Sequence, residues 1–244
     1  MVVGVIPARY QSTRLPFKLL KDLCGKPLIQ WTWESAKKAK FLDRLIIACD
    51  DARIEEAARK FKADVVLTSP RHSSGTDRIA EAVRDMDAQI VVNIQADEPL
   101  IQPVVIDHLV RQMLDNREEV MATVRKKIDD PQAINSPAVV KVVCDRSGYA
   151  LYFSRFPIPY YRDRDLIQEY YKHIGLYAYT KDFLYTFKNL PASRLEAAEK
   201  LEQLRALEAG YKIKVIETLV DSVGVDTEED LRAVEAILSA KSGV

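Results

Sequence analysis

The chain has 244 residues, 48% apolar and 30% charged, a composition that provides a hydrophobic core and excludes an intrinsically disordered chain. Thirty-six basic side chains balance thirty-six acidic ones, so no global field draws the protein to nucleic acid or anionic lipid, and any basic cluster must be local. No run approaches the roughly 20 apolar residues of a membrane span. The first residues enter a strand-like VVGVI rather than a secretory signal, and Cys24, Cys49 and Cys144 offer no disulfide framework, so a cytoplasmic location is expected.

In chain order, the short β-branched runs at 2–6, 44–49, 63–68 and 90–94 read as strands covered on both faces. Amphipathic stretches separate them: Pro27 to Lys40, Ala52 to Lys62 and Asp77 to Asp87. Strand and helix in alternation predict right-handed crossovers and an α/β domain with a mainly parallel sheet flanked by helices. Ligands then gather beyond the carboxyl ends of the strands, at residues 7–20, 50–51, 69–78 and 95–99. Further on, strand-like runs at 120–126, 138–144, 149–154 and 173–180 surround FPIP at 156–159, and Leu195 to Ala209 and Glu228 to Ala240 read as helices. Thirteen of the twenty aromatic residues lie between Tyr149 and Phe187, which points to a second core layer that also supplies a subunit interface. No repeat or linker divides the chain.

Three of the loops carry candidate chemistry. PARYQSTRLPFK at 7–18 holds Arg9, Arg14 and Lys18 with Ser12 and Thr13 and no acid, which suits a triphosphate: arginine binds phosphate oxygens as a fork and lysine as a point charge. A solvated basic loop is the plain alternative, and the position at a strand's carboxyl end weighs against it. Neither a G-x-G-x-x-G nor a G-x-x-x-x-G-K-[ST] loop occurs. HSSGTDR at 72–78 can present Ser74, Gly75 and Thr76 at a helix amino terminus, either to a ligand or as an ordinary cap. In NIQADEP at 93–99, Asp97 leaves a buried strand toward the phosphate loop, where a hard divalent ion needs oxygen ligands. Asp226 in GVDTEEDL is a second candidate, although its spacing to Glu229 is also that of a capping box. His72, His108 and His173 make no zinc pattern.

Taken in order, PARYQSTRLPFK, HSSGTDRI, NIQADEPLI, YFSRFPIPY, YYKHIGLYAY, LEQLRALEAGYKI and GVDTEEDL resemble the 3-deoxy-manno-octulosonate cytidylyltransferases over nearly the whole chain. The resemblance implies a Rossmann-like nucleotidyltransferase fold in one domain, 1–244. It also implies a nucleotide-binding part at 1–118, a smaller sugar-binding and dimerisation lobe at 119–215, and a closing segment at 216–244 that returns a metal ligand. It implies the reaction of CTP with the eight-carbon acid sugar Kdo to give CMP-Kdo and diphosphate for lipopolysaccharide synthesis, magnesium dependence and a cytoplasmic homodimer. By matching motifs, Arg9, Ser12, Arg14 and Lys18 form the triphosphate loop. Ser74, Gly75 and Thr76 hold nucleotide, with Arg78 near the sugar. Asp97 and Asp226 bind Mg2+, and Gln95, Arg155, His173, Tyr177, Glu202 and Gln203 line the Kdo pocket, Arg155 as a fork on the sugar's carboxylate. Arg14 and Lys18 join the two aspartates as the catalytic groups. The sequence departs from the family pattern at Phe17 and Leu19, where glycine and proline are expected, and at Ala96, where glycine is expected. A transferase for another acidic sugar, a sialic acid or an amino analogue of Kdo, is the nearest rival. A non-catalytic nucleotide-binding protein is a more distant one.

Overall fold

The computed structural model describes residues 1–163 and 165–242; Gly243 and Val244, the end of the expected closing segment, lie outside the described residues. The chain opens with β1 (Val2–Ala8), a two-residue ribbon β2 (Asp22–Leu23) and β3 (Lys26–Pro27), then α1 (Leu28–Ala36) and β4 (Arg44–Cys49). Next come α2 (Ala52–Lys60), β5 (Asp64–Leu67), α3 (Gly75–Ala82), β6 (Ile90–Asn93) and α4 (Pro103–Asp115). The second half holds β7 (Met121–Lys127), α5 (Pro131–Asn135), β8 (Lys141–Cys144), β9 (Ala150–Ser154), β10 (Tyr171–Thr180) and α6 (Lys181–Asn189). It closes with α7 (Arg194–Glu199), α8 (Leu204–Glu208), β11 (Lys214–Glu217) and α9 (Glu228–Ser242).

One large sheet runs β11-β7-β10-β6-β1-β4-β5, and the β8–β9 hairpin joins it at β10. Along that path β10 is antiparallel to β6 and β7, and every other pair is parallel. The carboxyl ends of β1, β4, β5, β6, β7 and β11 therefore share one edge, the edge where ligands gather in such sheets. The sheet's two faces feed separate cores: Ile6, Ile47 and Val92 face α1 and α4, while Val3, Val5 and Val91 face α3 and α6. The continuous apolar runs exist because both faces are covered, and each buried Val or Ile contributes about 1.5–3 kcal/mol. At Gly4 a Cβ would lie 2.8 Å from a methyl carbon of Leu42, so a larger residue on β1 would have to push that side chain aside.

The structure corrects the helix expected over Leu195 to Ala209. It is broken into α7 and α8 by Lys200, whose φ of 54° is left-handed. A Ser193–Glu196 capping box starts α7, and Arg205 reaches back to Glu196 at 2.6 Å, folding α8 against it. The break buries Leu201 and Leu204 and sets Glu202 and Gln203 at a corner rather than along a helix face. Three helices escaped the sequence reading, the short α5 and the longer α4 and α6. In α4 the signal was present, with Pro103 in the first turn and Val105, Ile106, Leu109, Val110 and Met113 on one face. In α6 the Thr180 side chain caps the helix and the aromatic Phe183 and Phe187 face inward, a pattern submerged in the surrounding aromatic run.

Candidate active site

A cleft of about 490 Å3 opens at the carboxyl edge between the loop after β1 and the loop after β6, with Arg9, Ser12, Arg14, Lys18, Gly75, Gln95, Asp97 and Asp226 in its walls. Lys18 is only 7% exposed, and its ammonium donates to Asp97 Oδ2 at 2.7 Å and to Asp226 Oδ1 at 2.9 Å. Arg14 pairs with the other oxygen of Asp226 at 2.9 Å. Burial opposes the charge on Lys18, but the two carboxylates outweigh it and hold its pKa above the ordinary lysine value. Among the described residues no carboxylate pairs with Arg9, which is exposed.

Asp226 reaches the cleft because its carboxylate is not a cap. The capping-box reading through Glu229 is corrected: Thr227 and Asp230 cap α9 reciprocally, Asp230 also accepting from the Asp226 N–H at 3.0 Å. The segment after β11 crosses the carboxyl edge and is fastened at three points. Asp221 pairs with Lys172 and Lys126, Ser222 Oγ donates to Glu98 Oε2 at 2.7 Å, and the Val225 N–H donates to the Asp97 carbonyl at 2.9 Å. Asp97 and Asp226 thus arrive together although 129 residues separate them, a separation that sequence spacing cannot bridge. Glu98, which sequence reasoning missed, is the half-buried anchor of this fastening, and desolvation pushes its carboxyl up to about 7.

A second cavity of about 420 Å3 shares Gln95 and Asp226 with the first and is otherwise lined by Arg155, His173, Tyr177, Glu202 and Gln203 among others. A bulge lies in β10 between Ile174 and Tyr177, where His173 and Tyr177 line the cavity, and Thr123 fills the gap in the ladder by donating to the Leu176 carbonyl at 2.8 Å. The same hydroxyl meets His173 Nε2 at 2.9 Å, which a neutral ring protonated on Nε2 satisfies. Burial pushes His173 down to about 3 and Tyr177 well above the usual tyrosine value. Glu202 is also raised by burial, its Oε2 accepting from Thr76 at 2.8 Å while Oε1 is buried without a partner. Gln203 Nε2 is likewise buried and unpartnered. These two polar atoms, one acceptor and one donor, belong to side chains that line the cavity, where water or a polar ligand would satisfy them.

Three expected residues stand elsewhere than expected. Arg78 is wholly buried and lines neither cavity; it pairs with Asp50 at 3.1 Å and Thr68 at 2.6 Å, so the expectation that it touches substrate is corrected to a place beneath the cleft. Ser74 caps α3 by accepting from the Asp77 N–H and lines a separate cavity with Glu202, and Thr76 is held by Glu202, so neither lines the first cavity while Gly75 does. Arg155 reaches the second cavity, but its guanidinium donates to the carbonyls of Glu199 at 2.7 Å, Pro137 at 2.9 Å and Lys200 at 3.5 Å. One N–H on each terminal nitrogen is left for an acid.

The donor set fits a hard divalent ion. Lys18 already places a cation between two carboxylates, and magnesium needs only one or two carboxylates once waters and substrate phosphates complete its shell. Among the described residues no group of three or more His, Cys, Asp or Glu side chains forms a cage, so such an ion would depend on the bound nucleotide for the rest of its ligands.

A mainly parallel α/β sheet with a cationic loop at its carboxyl edge defines a protein built to bind an anionic ligand at that edge. The cytidylyltransferase family model matches residues 3–213. A 3-deoxy-manno-octulosonate cytidylyltransferase of Solibacter usitatus is 49% identical over 98% of this chain and 95% of its own. One of Syntrophobacter fumaroxidans is 52% identical over 98% and 97%. Among solved structures, a CMP:2-keto-3-deoxy-manno-octonic acid synthetase complexed with CTP matches at a TM-score of 0.93 and 41% identity, covering 98% of this chain and 99% of that one. A 4-diphosphocytidyl-2C-methyl-D-erythritol synthase of Anaerococcus prevotii, at 14% identity and a TM-score of 0.64, shares the fold. The chain belongs to the cytidylyltransferase family and, within it, to the 3-deoxy-manno-octulosonate cytidylyltransferases.

Proposed function

We propose that this protein transfers the cytidylyl group of CTP to the anomeric hydroxyl of Kdo, giving CMP-Kdo and diphosphate for lipopolysaccharide synthesis. The observation that carries the reading is the junction of the two cavities: Gln95 and Asp226 belong to both, so a nucleotide in the first and a sugar in the second would present their reacting groups to each other. The sugar oxygen forms a bond to the α-phosphorus as the bond to the bridging oxygen of diphosphate breaks, and the hydroxyl proton leaves to solvent or phosphate. Such a displacement demands positioning and charge neutralisation rather than covalent chemistry from the protein.

Arg9 and the Ser12 hydroxyl would hold the triphosphate, and Arg14 and Lys18 would take up the charge that develops on diphosphate. Asp97 and Asp226 would hold Mg2+, which when bound supplies a Lewis acid that makes the attacking hydroxyl more acidic. In the second cavity His173 and Tyr177, both held neutral, present hydrogen-bonding groups without charge. Gln203 and Glu202 offer a donor and an acceptor to the sugar hydroxyls, and Arg155 offers its remaining N–H groups to the carboxylate. The exposed Leu151, Phe156, Tyr160 and Ile167 beside the β8–β9 hairpin support pairing with a second copy, as a homodimer. Free cysteines and the nature of the substrates support a cytoplasmic location.

Diphosphate release from each of four nucleoside triphosphates, with Kdo, a sialic acid or 8-amino Kdo and with or without Mg2+, tests the assignment. Release is expected with CTP, Kdo and Mg2+ together. Equal turnover of a sialic acid, or none with any sugar, contradicts it.

A further inference from the structure

The loop after β1 carries three cations and no acid, yet one carboxylate touches its backbone from below. Asp50, at the end of β4 and 13% exposed in its side chain, accepts from the Tyr10 N–H through Oδ1 at 2.8 Å, beside Arg9. Its other oxygen receives Arg78 Nη2 at 3.1 Å. Arg78, on α3 and fully buried, is fixed in turn by Thr68 Oγ1 at 2.6 Å, and Thr68 is bonded to the Cys49 carbonyl at 2.8 Å. A continuous path thus joins α3, the end of β5 and the end of β4 to the first residues of the phosphate loop.

The chemistry of this path is specific. An unpaired anion under a triphosphate site would repel the ligand across a poorly screened interior. An asparagine could accept from Tyr10 but could not bind the guanidinium; aspartate does both, and the guanidinium cancels its charge. Burying an arginine is costly unless it is paired, so Arg78 has little reason to be at this place except to serve Asp50 and Thr68. Its Nε is buried without a partner. We propose that Arg78 and Asp50 are positioning residues, a charge-neutral strut that fixes the entrance of the phosphate loop while screening Asp50 from the nucleotide. The proposal rests on the reading of that loop as the CTP site.

Its test is CTP binding by calorimetry and steady-state kinetics on the full chain with Mg2+, for wild type, Arg78→Met, Arg78→Lys and the double variant Arg78→Met/Asp50→Asn. Arg78→Met bares the Asp50 charge, so CTP affinity should fall about tenfold, a loss that shrinks at high salt, with KM for CTP moving more than kcat. The double variant keeps an acceptor for Tyr10 and carries no charge there, and it should regain most of the affinity. Arg78→Lys retains the charge, so it should stay within about threefold of wild type and supports the strut even if Arg78→Met fails to fold. A double variant as weak as Arg78→Met, or an Arg78→Met protein that binds CTP as wild type does, overturns the strut. A wild type that does not bind CTP overturns the nucleotide reading beneath it.

Discussion

The two cavities that meet at Gln95 and Asp226 differ in how their walls carry charge. In the first, charges are kept: Arg14 is 63% exposed in its side chain, and the buried Lys18 bridges two carboxylates. In the second, ionisation is suppressed, with a neutral histidine, tyrosines held far from deprotonation, and Glu202 pushed toward its protonated form. A triphosphate needs neutralising charge, which tolerates solvent; a sugar is told from its isomers by hydrogen bonds in a dry pocket, where an unmatched polar atom is costly.

The largest effect should fall where the cavities join. Asp97→Asn is expected to lower turnover by about a thousandfold or more while the melting temperature stays near wild type, as measured by diphosphate release at saturating CTP and by thermal unfolding. Near-normal activity at high Mg2+ would remove Asp97 from the mechanism. A smaller and more selective loss is expected from Gln203→Leu, which deletes the orphaned donor: KM for Kdo should rise about tenfold with KM for CTP unchanged. Equal losses for both substrates would mean that the second cavity is not a separate sugar site.

The neutral wall also has a pH signature. Unfolded, His173 takes a proton below its ordinary 6.5; folded, where desolvation opposes the charge, it resists until about 3. Between those values the unfolded state binds more protons, so the stability that this group contributes is fully present above pH 6.5 and is lost as pH falls toward 3. Wild type should therefore lose more stability than His173→Gln between pH 7 and pH 5 in thermal melts, and identical losses would place the ring in contact with solvent. The smallest effect is expected at Phe17, which holds a left-handed φ of 55° with its ring 4.6 Å from that of Tyr10. Phe17→Gly relieves backbone strain but frees the unfolded chain and removes the ring contact, so unfolding free energy should change by less than about 1 kcal/mol.

The same contrast decides what the sequence made legible. The alternation of strands and helices through Asn93 and the acid-free loop from Pro7 to Lys18 are local patterns, and both stand in the structure as expected. Asp97 was readable because a carboxylate at a strand's end has little other reason to be there. The partnership of Asp97 with Asp226 was not readable from spacing, because it depends on where the segment after β11 is fastened, by Ser222, Glu98 and Val225. Family resemblance supplied it instead. Arg78 misled because the family resemblance matched it by its place in HSSGTDR to a residue near the sugar, and only packing shows it turned inward to Asp50. The break at Lys200 was hidden because LEAAEKLEQLRALEA has helical composition throughout; the Glu196–Arg205 pair that folds it is a tertiary contact.

The claim on which the rest depends is that Asp97 and Asp226 serve a single cation. Electron paramagnetic resonance of Mn2+ bound in the presence of CTP measures this directly in wild type, Asp97→Asn and Asp226→Asn. Loss of the same bound-ion signal in both variants is the expected result, and a full-strength site surviving in either one contradicts it.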